Sequence, residues 1–278
     1  MRLPRENGRL ASDQSPFVTD DDVPVSSLPT WREPIESLLP SRTAMTPFWA
    51  RHFPRLDDLY SISTHRDSHN YFEHPNVRAA LERQDSYLVQ LESVLEQMDT
   101  LSWNEFKSRT APYVTAQDKW GWFSQLFDRF HEARAYAFLK TEGCQQISWI
   151  PETPGRETPD LCAVGPGGAV LVEAKRIRES DDENEYFTIP PDQKEAKEIL
   201  HTLSDPLRAK IRNTVSKAQR QLFSYPADNA HKRILYLAIR LDLTQASKRV
   251  AEELARLLGK ISDESALIVH YVENEFLI

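Results

Sequence analysis

The stretch TPDLCAVGPGGAVLVEAKRIR, Thr158 to Arg178, decides the fold and the chemistry of this chain. It contains two short β-type segments, DLCAV and AVLVEAK, joined by the turn-forming sequence GPGG. A strand buried in a mixed sheet is normally a continuous apolar run, yet the second segment ends with Glu173 and Lys175. These charged residues therefore either reach solvent or take part in chemistry.

The predicted hairpin brings two carboxylates together. Side chains alternate between the two faces of a strand, so Glu173 and Lys175 lie side by side on one face. Asp160 opens the preceding segment, and the short connection places it near Glu173. Neighbouring carboxylates repel each other, and a shared proton or a bound divalent cation relieves the repulsion. Lys175 moderates the repulsion as well, and it could orient or deprotonate a metal-bound water.

Composition and charge limit the class of protein. The 278 residues are 40% hydrophobic and 27% charged, which is typical of a soluble protein. No apolar run is long enough to cross a bilayer and the first residues lack a secretory signal, so we expect a cytoplasmic protein with no membrane partner. Cys144 and Cys162 make neither a disulfide framework nor a four-thiolate metal site. The net charge of −8 argues against a general nucleic-acid coat but allows a local basic patch.

The chain divides into three predicted parts. Residues 1–54 contain eight of the 18 prolines and form an extended arm, residues 55–117 form a helical N-terminal region, and residues 118–278 form an α/β domain. Apolar residues at three- and four-residue steps predict one helix of about six turns from Val77 to Met98. A short helix is expected at Trp103–Arg109.

The predicted elements of the α/β domain follow the order α, β, β, β, α, β, α, β, which indicates a sandwich with a mixed sheet. Asp118 is the expected N-cap of the first helix and Gly143 its stop signal, and Asp205 is the expected N-cap of the second. The elements are a helix from Asp118 to about Lys140, the strands QISWIPE, DLCAV and AVLVEAK, a helix from Pro206 to about Ser224, the strand ILYLAIRL at 234–241, a helix from Thr244 to Leu258, and the strand ALIVHYV at 266–272.

The motif resembles the signature of the PD-(D/E)xK, or restriction-endonuclease-like, nuclease superfamily. Pro159 and Asp160 are followed thirteen residues after the aspartate by Glu173, and then by Ala174 and Lys175. The resemblance implies an α-β-β-β-α-β sandwich that hydrolyses phosphodiester bonds with Mg²⁺ or Mn²⁺.

The same resemblance implies the site residues. Asp160, Glu173 and the backbone carbonyl of Ala174 would bind the metal, and Lys175 would position the attacking water. Glu132, in HEARAYAFL on the preceding helix, matches the carboxylate that often joins such a site, as part of the metal shell or for a second ion.

A basic helix suggests that the substrate is a nucleic-acid polymer; we expect DNA, although the sequence does not distinguish DNA from RNA. The segment from Pro206 to Phe223 carries five Lys and Arg residues and neither Asp nor Glu. Gln221 and Tyr225 resemble the Q-x-x-x-Y element of the RecB-like exonuclease branch. The residues expected to bind nucleic acid are Arg176, Arg178, Lys210, Lys217, Arg220, Gln221 and Tyr225. The alternative is an ordinary solvated basic face.

Each site residue also has a structural alternative. Asp160 could be a turn residue at a strand edge, Glu173 and Lys175 a surface ion pair, and Glu132 a solvated helix position. The whole chain could accordingly be an inactive nuclease-fold protein that binds nucleic acid or another protein. The helical N-terminal region could select the substrate, bind a protein partner or form a homodimer.

Two further segments remain open. The run ESDDENE at 179–185 places five acidic residues directly after the site strand, where they should repel a phosphate chain. It could be a mobile loop, a partner-binding segment or a mimic of the substrate. His65 and His69 could share a helix face and bind zinc, but together with His74 they are better interpreted as a surface cluster, because Pro75 and the surrounding sequence are loop-like.

Overall fold

The predicted hairpin lies in the middle of a five-stranded sheet in the computed structural model. The structure describes residues 49–62, 70–117, 123–152, 155–177, 203–227, 230–239, 248–265 and 267–273. The strands, in their order across the sheet, are β1 (Gln145–Trp149), β2 (Leu161–Gly165), β3 (Gly168–Ile177), β4 (Ala230–Ile239) and β5 (Ile268–Glu273). The pairs β1–β2 and β2–β3 are antiparallel, and the pairs β3–β4 and β4–β5 are parallel.

Helices precede the sheet and connect its parallel strands. They are α1 (Trp49–His52), α2 (Pro54–Ile62), α3 (Pro75–Glu82), α4 (Ser86–Glu96), α5 (Thr100–Thr110), α6 (Ser124–Thr141), α7 (Asp205–Ser224) and α8 (Lys248–Ser265). The predicted fold class is therefore confirmed: a mainly helical N-terminal region is followed by an α/β arrangement with a mixed sheet. In the described part of the chain, no helix is long and apolar enough to cross a membrane.

The two faces of β3 contribute to two separate apolar cores. Val170, Val172 and Ala174 pack in the first core, together with α6 and the N-terminal helices. Leu171 and Ile177 pack in the second core, against α7 and α8. This alternation follows from the two-residue period of a strand. The end of β3 therefore lies between α6 and α7, and both helices can contribute side chains there.

The N-terminal helices pack directly on α6 through an aromatic cluster. Tyr71 makes edge-on contacts with Phe123, Phe127 and Phe130, with ring centroids 5.3, 5.5 and 6.2 Å apart. Such edge-to-face pairs add to the free energy gained from apolar burial. All described residues belong to one compact unit, residues 46–278. The predicted boundary between 117 and 118 stays a prediction.

The single helix predicted from Val77 to Met98 is wrong, because α3 and α4 are separate. Gln84 adopts a left-handed backbone with φ of 52°, and Asp85 caps α4 by accepting a hydrogen bond from the Tyr87 N–H at 3.0 Å. The apolar spacing continues across this break, so periodicity alone does not reveal it. The helix predicted at Trp103–Arg109 is confirmed as α5.

Two predicted N-caps are also wrong. Helix α6 begins at Ser124 with Phe123 as its N-cap, and Asp118 lies outside the described residues. Helix α7 begins one residue earlier than predicted, because the Ser204 hydroxyl accepts the hydrogen bond from the Leu207 N–H and Asp205 belongs to the first turn. Serine and aspartate are equally good N-caps, so the sequence SDP does not distinguish them.

Several other boundaries differ by a few residues. Strand β4 begins at Ala230, before the predicted 234–241, and α8 continues to Ser265, past the predicted Leu258. Thr244 lies outside the described residues. Helix α1 and the start of α2 fall within residues 49–54 of the predicted extended arm, whose remaining residues 1–48 lie outside the described part of the chain.

A buried carboxylate joins α2 to α4. Glu92 is 3% exposed, and its two oxygens accept hydrogen bonds from the Arg55 N–H at 2.6 Å and the Leu56 N–H at 3.0 Å. These donors lie in the first turn of α2, where backbone N–H groups lack partners within the helix. Burial raises the pKa of Glu92 to about 7, although both hydrogen bonds lower it.

We expect Glu92 to give the protein a pH-dependent stability. Because the folded pKa is raised, the stabilisation is present below the pKa of the unfolded chain and is lost as pH rises through about 7. In urea unfolding, the free-energy difference between wild type and Glu92→Gln should move in favour of the variant by about 1–3 kcal/mol between pH 4.5 and 7.5. Glu82→Gln, at an exposed position on α3, is the control. A difference that does not depend on pH would contradict this assignment.

The end of α6 supplies a matched test of backbone strain. Gly143 has φ of 74°, its N–H donates to the Lys140 carbonyl at 3.0 Å, and the Cys144 N–H donates to the Leu139 carbonyl at 2.9 Å. This is a Schellman motif, and it confirms Gly143 as the predicted stop signal.

Gly143→Ala should lower the free energy of unfolding by about 1 kcal/mol, because the added Cβ meets no atom within 4 Å and only the positive φ is unfavourable. Gly259→Ala, within α8 and also without a neighbour within 4 Å, should be neutral or stabilising by up to about 1 kcal/mol. Equal effects of the two substitutions in denaturant unfolding would refute this explanation.

Candidate functional site

The backbone of the hairpin fixes Asp160 at the entrance to β2. Its N–H donates to the Val172 carbonyl at 3.1 Å, and its carbonyl accepts from the Ile150 N–H at 2.9 Å. The Asp160 carboxylate accepts a hydrogen bond from the Ala174 N–H at 2.8 Å. The structure therefore places Asp160 directly beside the Glu173–Lys175 segment, at the position that the hairpin predicts.

Glu173 lies behind this position and is fully buried. Its carboxylate forms an ion pair with the Lys175 ammonium, which is 25% exposed. Neither oxygen of Glu173 has a further hydrogen-bond donor within the described residues. Burial, and then the neighbouring Asp160, raise the pKa of Glu173 to about 8. Burial alone disfavours the charged form of Lys175, but Glu173 and Asp160 outweigh it and raise the Lys175 pKa.

Helix α6 contributes the third carboxylate. Glu132 is 7% exposed and accepts hydrogen bonds from Arg129 Nη1 at 2.8 and 3.0 Å. Burial, followed by repulsion from Asp160, raises the pKa of Glu132 to about 8. Burial also raises the pKa of Asp160, although Lys175 and the Ala174 N–H oppose the shift. The three carboxyl groups therefore influence one another electrostatically, as groups sharing one site do.

A cavity of about 670 Å³ opens in front of these groups, between α6, β3, α7 and the chain that leads into β2. Its wall includes Glu132, Asp160, Ala174, Lys175, Lys217 and Gln221. Both signs of charge are represented in the wall. Glu173 does not line the cavity and reaches it only through Lys175.

The donor set fits a hard divalent cation in its chemistry. Carboxylate and carbonyl oxygens suit Mg²⁺, which commonly takes one or two carboxylates and completes its shell with water and phosphate oxygens. The Glu173 carboxylate has Lys175 as its ion-pair partner and accepts no further hydrogen bond within the described residues. Within the described ranges, however, no three His, Cys, Asp or Glu side chains are close enough together to hold a metal. Asp160 is thus the best-placed carboxylate, and Glu132 and Glu173 are occupied by Arg129 and Lys175.

Arg176 has a structural role that the sequence does not reveal. Its side chain is only 7% exposed. It donates to Asp128 Oδ1 at 3.0 Å and to the Ser124 carbonyl at 2.8 Å, and its guanidinium lies 5.4 Å from the centre of the Phe127 ring. These contacts join β3 to the first turns of α6. If Arg176 contacted nucleic acid as predicted, it would have to give up these contacts with α6. Arg178, also predicted, lies outside the described residues.

The basic residues of α7 divide into two groups. Lys217 and Arg220 are exposed, and Lys217 lines the cavity. Arg220 lies 3.9 Å from Glu157 at the cavity rim. Lys210 is half-buried and lies about two turns before Lys217 and about three turns before Arg220. The exposed pair remains available for a nucleic-acid contact.

Gln221 and Tyr225 do not act together at the cavity. Gln221 is 8% exposed, lines the cavity and donates to the Thr158 carbonyl at 3.2 Å, and its Oε1 has no donor within the described residues. Tyr225 instead ends α7 and packs against the second core. The predicted Q-x-x-x-Y pair is therefore represented at the cavity by Gln221 alone, because Tyr225 is the C-cap of α7 and its extended backbone leaves the helical path.

Sequence analysis missed three charged residues at this site: Arg109, Arg129 and Glu152. Arg129 could have been found, because it precedes Glu132 by one helical turn and such pairs face each other. Arg109 on α5 lies 4.0 Å from Glu132 only because the N-terminal helices pack on α6. Glu152 follows β1 and interacts with both arginines. No local pattern points to these two residues.

Of the histidine cluster, only His74 lies within the described residues, and it does not line the cavity. His74 is exposed and precedes α3, and its side chain makes no capping hydrogen bond. His65, His69 and the acidic run at 179–185 lie outside the described residues. Their interpretations stay predictions.

Comparisons with known proteins give little further support. No family model matches the chain, and no curated protein matches it. Among solved structures, the chain is similar to Pyrococcus furiosus SfsA in complex with Ca²⁺, with 16% sequence identity and a TM-score of 0.21. The match covers 54% of this chain and 55% of that one, so the chain spans about half the length of SfsA. A likeness at this level carries no argument about function.

The buried carboxyl cluster should make the metal-free protein less stable at alkaline pH. Because the pKa values of Glu132 and Glu173 are raised to about 8, their protonated forms are favoured in the folded state, and stability falls as pH rises from about 5 through 8. Asp160→Asn removes one source of this repulsion. In urea unfolding with EDTA, its loss of stability between pH 5 and 8.5 should be smaller than that of wild type by about 1–2 kcal/mol.

Glu157→Gln, at an exposed position on the same cavity rim, is the control for this measurement. It removes a carboxylate without touching the buried cluster, so its pH profile should follow that of wild type. Parallel profiles for wild type and Asp160→Asn would contradict the proposed coupling.

Proposed function

We propose that this protein is a metal-dependent nuclease that hydrolyses phosphodiester bonds of DNA. The observation that carries the proposal is the convergence of Asp160, Glu173 and Lys175 at the end of one hairpin, beside a cavity of about 670 Å³. Glu132 faces the same cavity from α6. Such enzymes act in restriction, repair or defence against mobile DNA, and we propose a role of this kind.

The proposed metal ligands are Asp160, Glu173 and the backbone carbonyl of Ala174, with Glu132 in the metal shell or at a second ion. When bound, Mg²⁺ or Mn²⁺ supplies Lewis-acid polarisation of the phosphate and activation of a water. Lys175 orients the attacking water or offsets the charge that develops on the phosphate. The Ala174 N–H holds the Asp160 carboxylate in place through its 2.8 Å hydrogen bond.

A nucleic acid is proposed as the substrate because α7 presents exposed cations beside the cavity, and of the nucleic acids we propose DNA. We expect Lys217 and Arg220 to contact backbone phosphates. Gln221 lines the cavity beside them. The net charge of −8 favours contact through this patch over contact through the whole surface. The N-terminal helices remain our candidate for binding a protein partner or a second copy of the chain.

A second candidate function is supported by the burial of Glu173. Its side chain is 0% exposed and is already neutralised by Lys175. Both features suit a protein that keeps the nuclease scaffold but binds nucleic acid without cleaving it. A measurement of strand cleavage separates the two functions, because only a nuclease cleaves DNA in a way that depends on the Asp160 carboxylate.

We expect the purified protein to nick supercoiled plasmid DNA with Mg²⁺ or Mn²⁺ and to be inactive in EDTA. Asp160→Asn should lower the cleavage rate by about 100-fold or more, because a metal-binding carboxylate is lost. Asp205→Asn, at a fully exposed position on α7, should retain activity. Nicking is followed on agarose gels.

The same variants separate a folding defect from a loss of metal. In thermal unfolding, Mn²⁺ should raise the Tm of wild type and of Asp205→Asn but not that of Asp160→Asn. A protein that binds DNA without nicking it, and whose Tm does not respond to either ion, would favour the second candidate function.

A further inference from the structure

Two arginines outside the predicted set converge on one carboxylate oxygen at the cavity. Arg129 Nη2 lies 3.1 Å from Glu152 Oε1, and Arg109 Nη2 lies 3.9 Å from the same atom. The arginines come from α6 and α5, and Glu152 follows β1. Three separate parts of the fold therefore meet at this point.

The two arginines are positioned by several contacts with the fold, and Arg109 Nη2 lies between Glu152 and Glu132, 3.9 Å from the first and 4.0 Å from the second. Arg109 Nη1 donates to the Ile150 carbonyl at 3.1 Å, and its guanidinium lies 5.5 Å from the Trp149 ring centre. Arg129 Nη1 donates hydrogen bonds to both carboxylate oxygens of Glu132. Their side chains are only 16% and 14% exposed, so the pair is held in a fixed arrangement.

Glu152 is held far less firmly than the arginines. Its side chain is 74% exposed, and ion pairs of exposed carboxylates contribute only about 0–1 kcal/mol. Both guanidinium groups face the buried carboxylate of Glu132, and both also act electrostatically on Asp160. Among these three carboxylates, Glu152 is the exposed one, so it is the one that an anion from the cavity can replace. Guanidinium groups bind phosphate oxygens through paired hydrogen bonds, which a single carboxylate oxygen does not fully use.

We propose that Arg109 and Arg129 form a phosphate subsite at the edge of the cavity, where Arg129 and Glu152 line the wall and Arg109 lies behind Glu152, and that Glu152 occupies this subsite until a phosphate group of a bound nucleic-acid strand displaces it. This inference rests on the proposed function for the identity of the strand. The subsite lies next to Glu132, so it would hold a phosphate near the one that is cleaved and would fix the position of the strand. Arg109 and Arg129 are then positioning residues for the substrate.

The test is the binding of a fluorescein-labelled single-stranded 12-mer DNA to the full chain in EDTA, followed by fluorescence anisotropy at constant salt. Glu152→Gln should tighten binding by about three- to tenfold, because it removes the competing anion. The control is Glu82→Gln, which makes the same change of charge at an exposed position on α3 that does not line the cavity, and it should change the affinity less than about twofold.

A second variant shows whether the gain depends on the arginine pair. Arg109→Lys in the Glu152→Gln background keeps the charge but loses the guanidinium fork, so the gain in affinity should disappear. Thermal unfolding checks that this variant is folded, and if it is not, the comparison of Glu152→Gln with Glu82→Gln decides. Equal gains for those two variants, or no measurable binding by either, would overturn the subsite.

Inorganic phosphate, added as a competitor, separates a strand subsite from a site for free phosphate. Tighter binding of phosphate by Glu152→Gln without tighter binding of the 12-mer would overturn the assignment to a strand. The result is independent of cleavage. A gain in affinity without any nicking supports the subsite and rejects the nuclease, whereas nicking without a gain does the reverse.

Discussion

The central constraint on this structure is the removal of several carboxylates from water at the end of one hairpin. A buried carboxylate is unfavourable unless a cation or hydrogen-bond donors compensate for it. Lys175 performs this role for Glu173, Arg129 for Glu132, and the Ala174 N–H for Asp160. The elements that bring these partners together, β3 and α6, are also the elements on which the two cores are built.

This balance of charge separates the carboxylates into one that is neutralised inside the protein and two that line the cavity. Glu173 and Lys175 satisfy each other inside the protein, whereas Asp160 and Glu132 face the cavity. Buried ion pairs are often less stabilising than apolar residues of similar size would be at the same positions. The repeated use of buried charge around one cavity is therefore a reason to assign it a function, because strongly shifted pKa values are concentrated at such sites.

The sequence was most informative where the signal was local. The turn GPGG and the alternation in AVLVEAK fix the hairpin, and Gly143 marks the end of α6 because only a glycine readily adopts its backbone conformation. The break at Gln84 was not predictable from periodicity, since the apolar spacing continues through it. The motif predicts Asp160, Glu173 and Lys175. Arg109 and Glu152 reach the site through packing between segments that are far apart in the sequence, and no local spacing pattern predicts such packing.

Helix α6 serves two partners at once. Its aromatic residues Phe127 and Phe130 hold the N-terminal helices, while Arg129 and Glu132, which alternate with them along the same two turns, face the cavity. Arg176 fastens the beginning of this helix to β3 through Asp128 and Ser124. A rotation of α6 about its axis would therefore disturb the aromatic packing and the acidic wall together. The packing of the N-terminal helices and the geometry of the cavity wall are coupled through the orientation of a single helix.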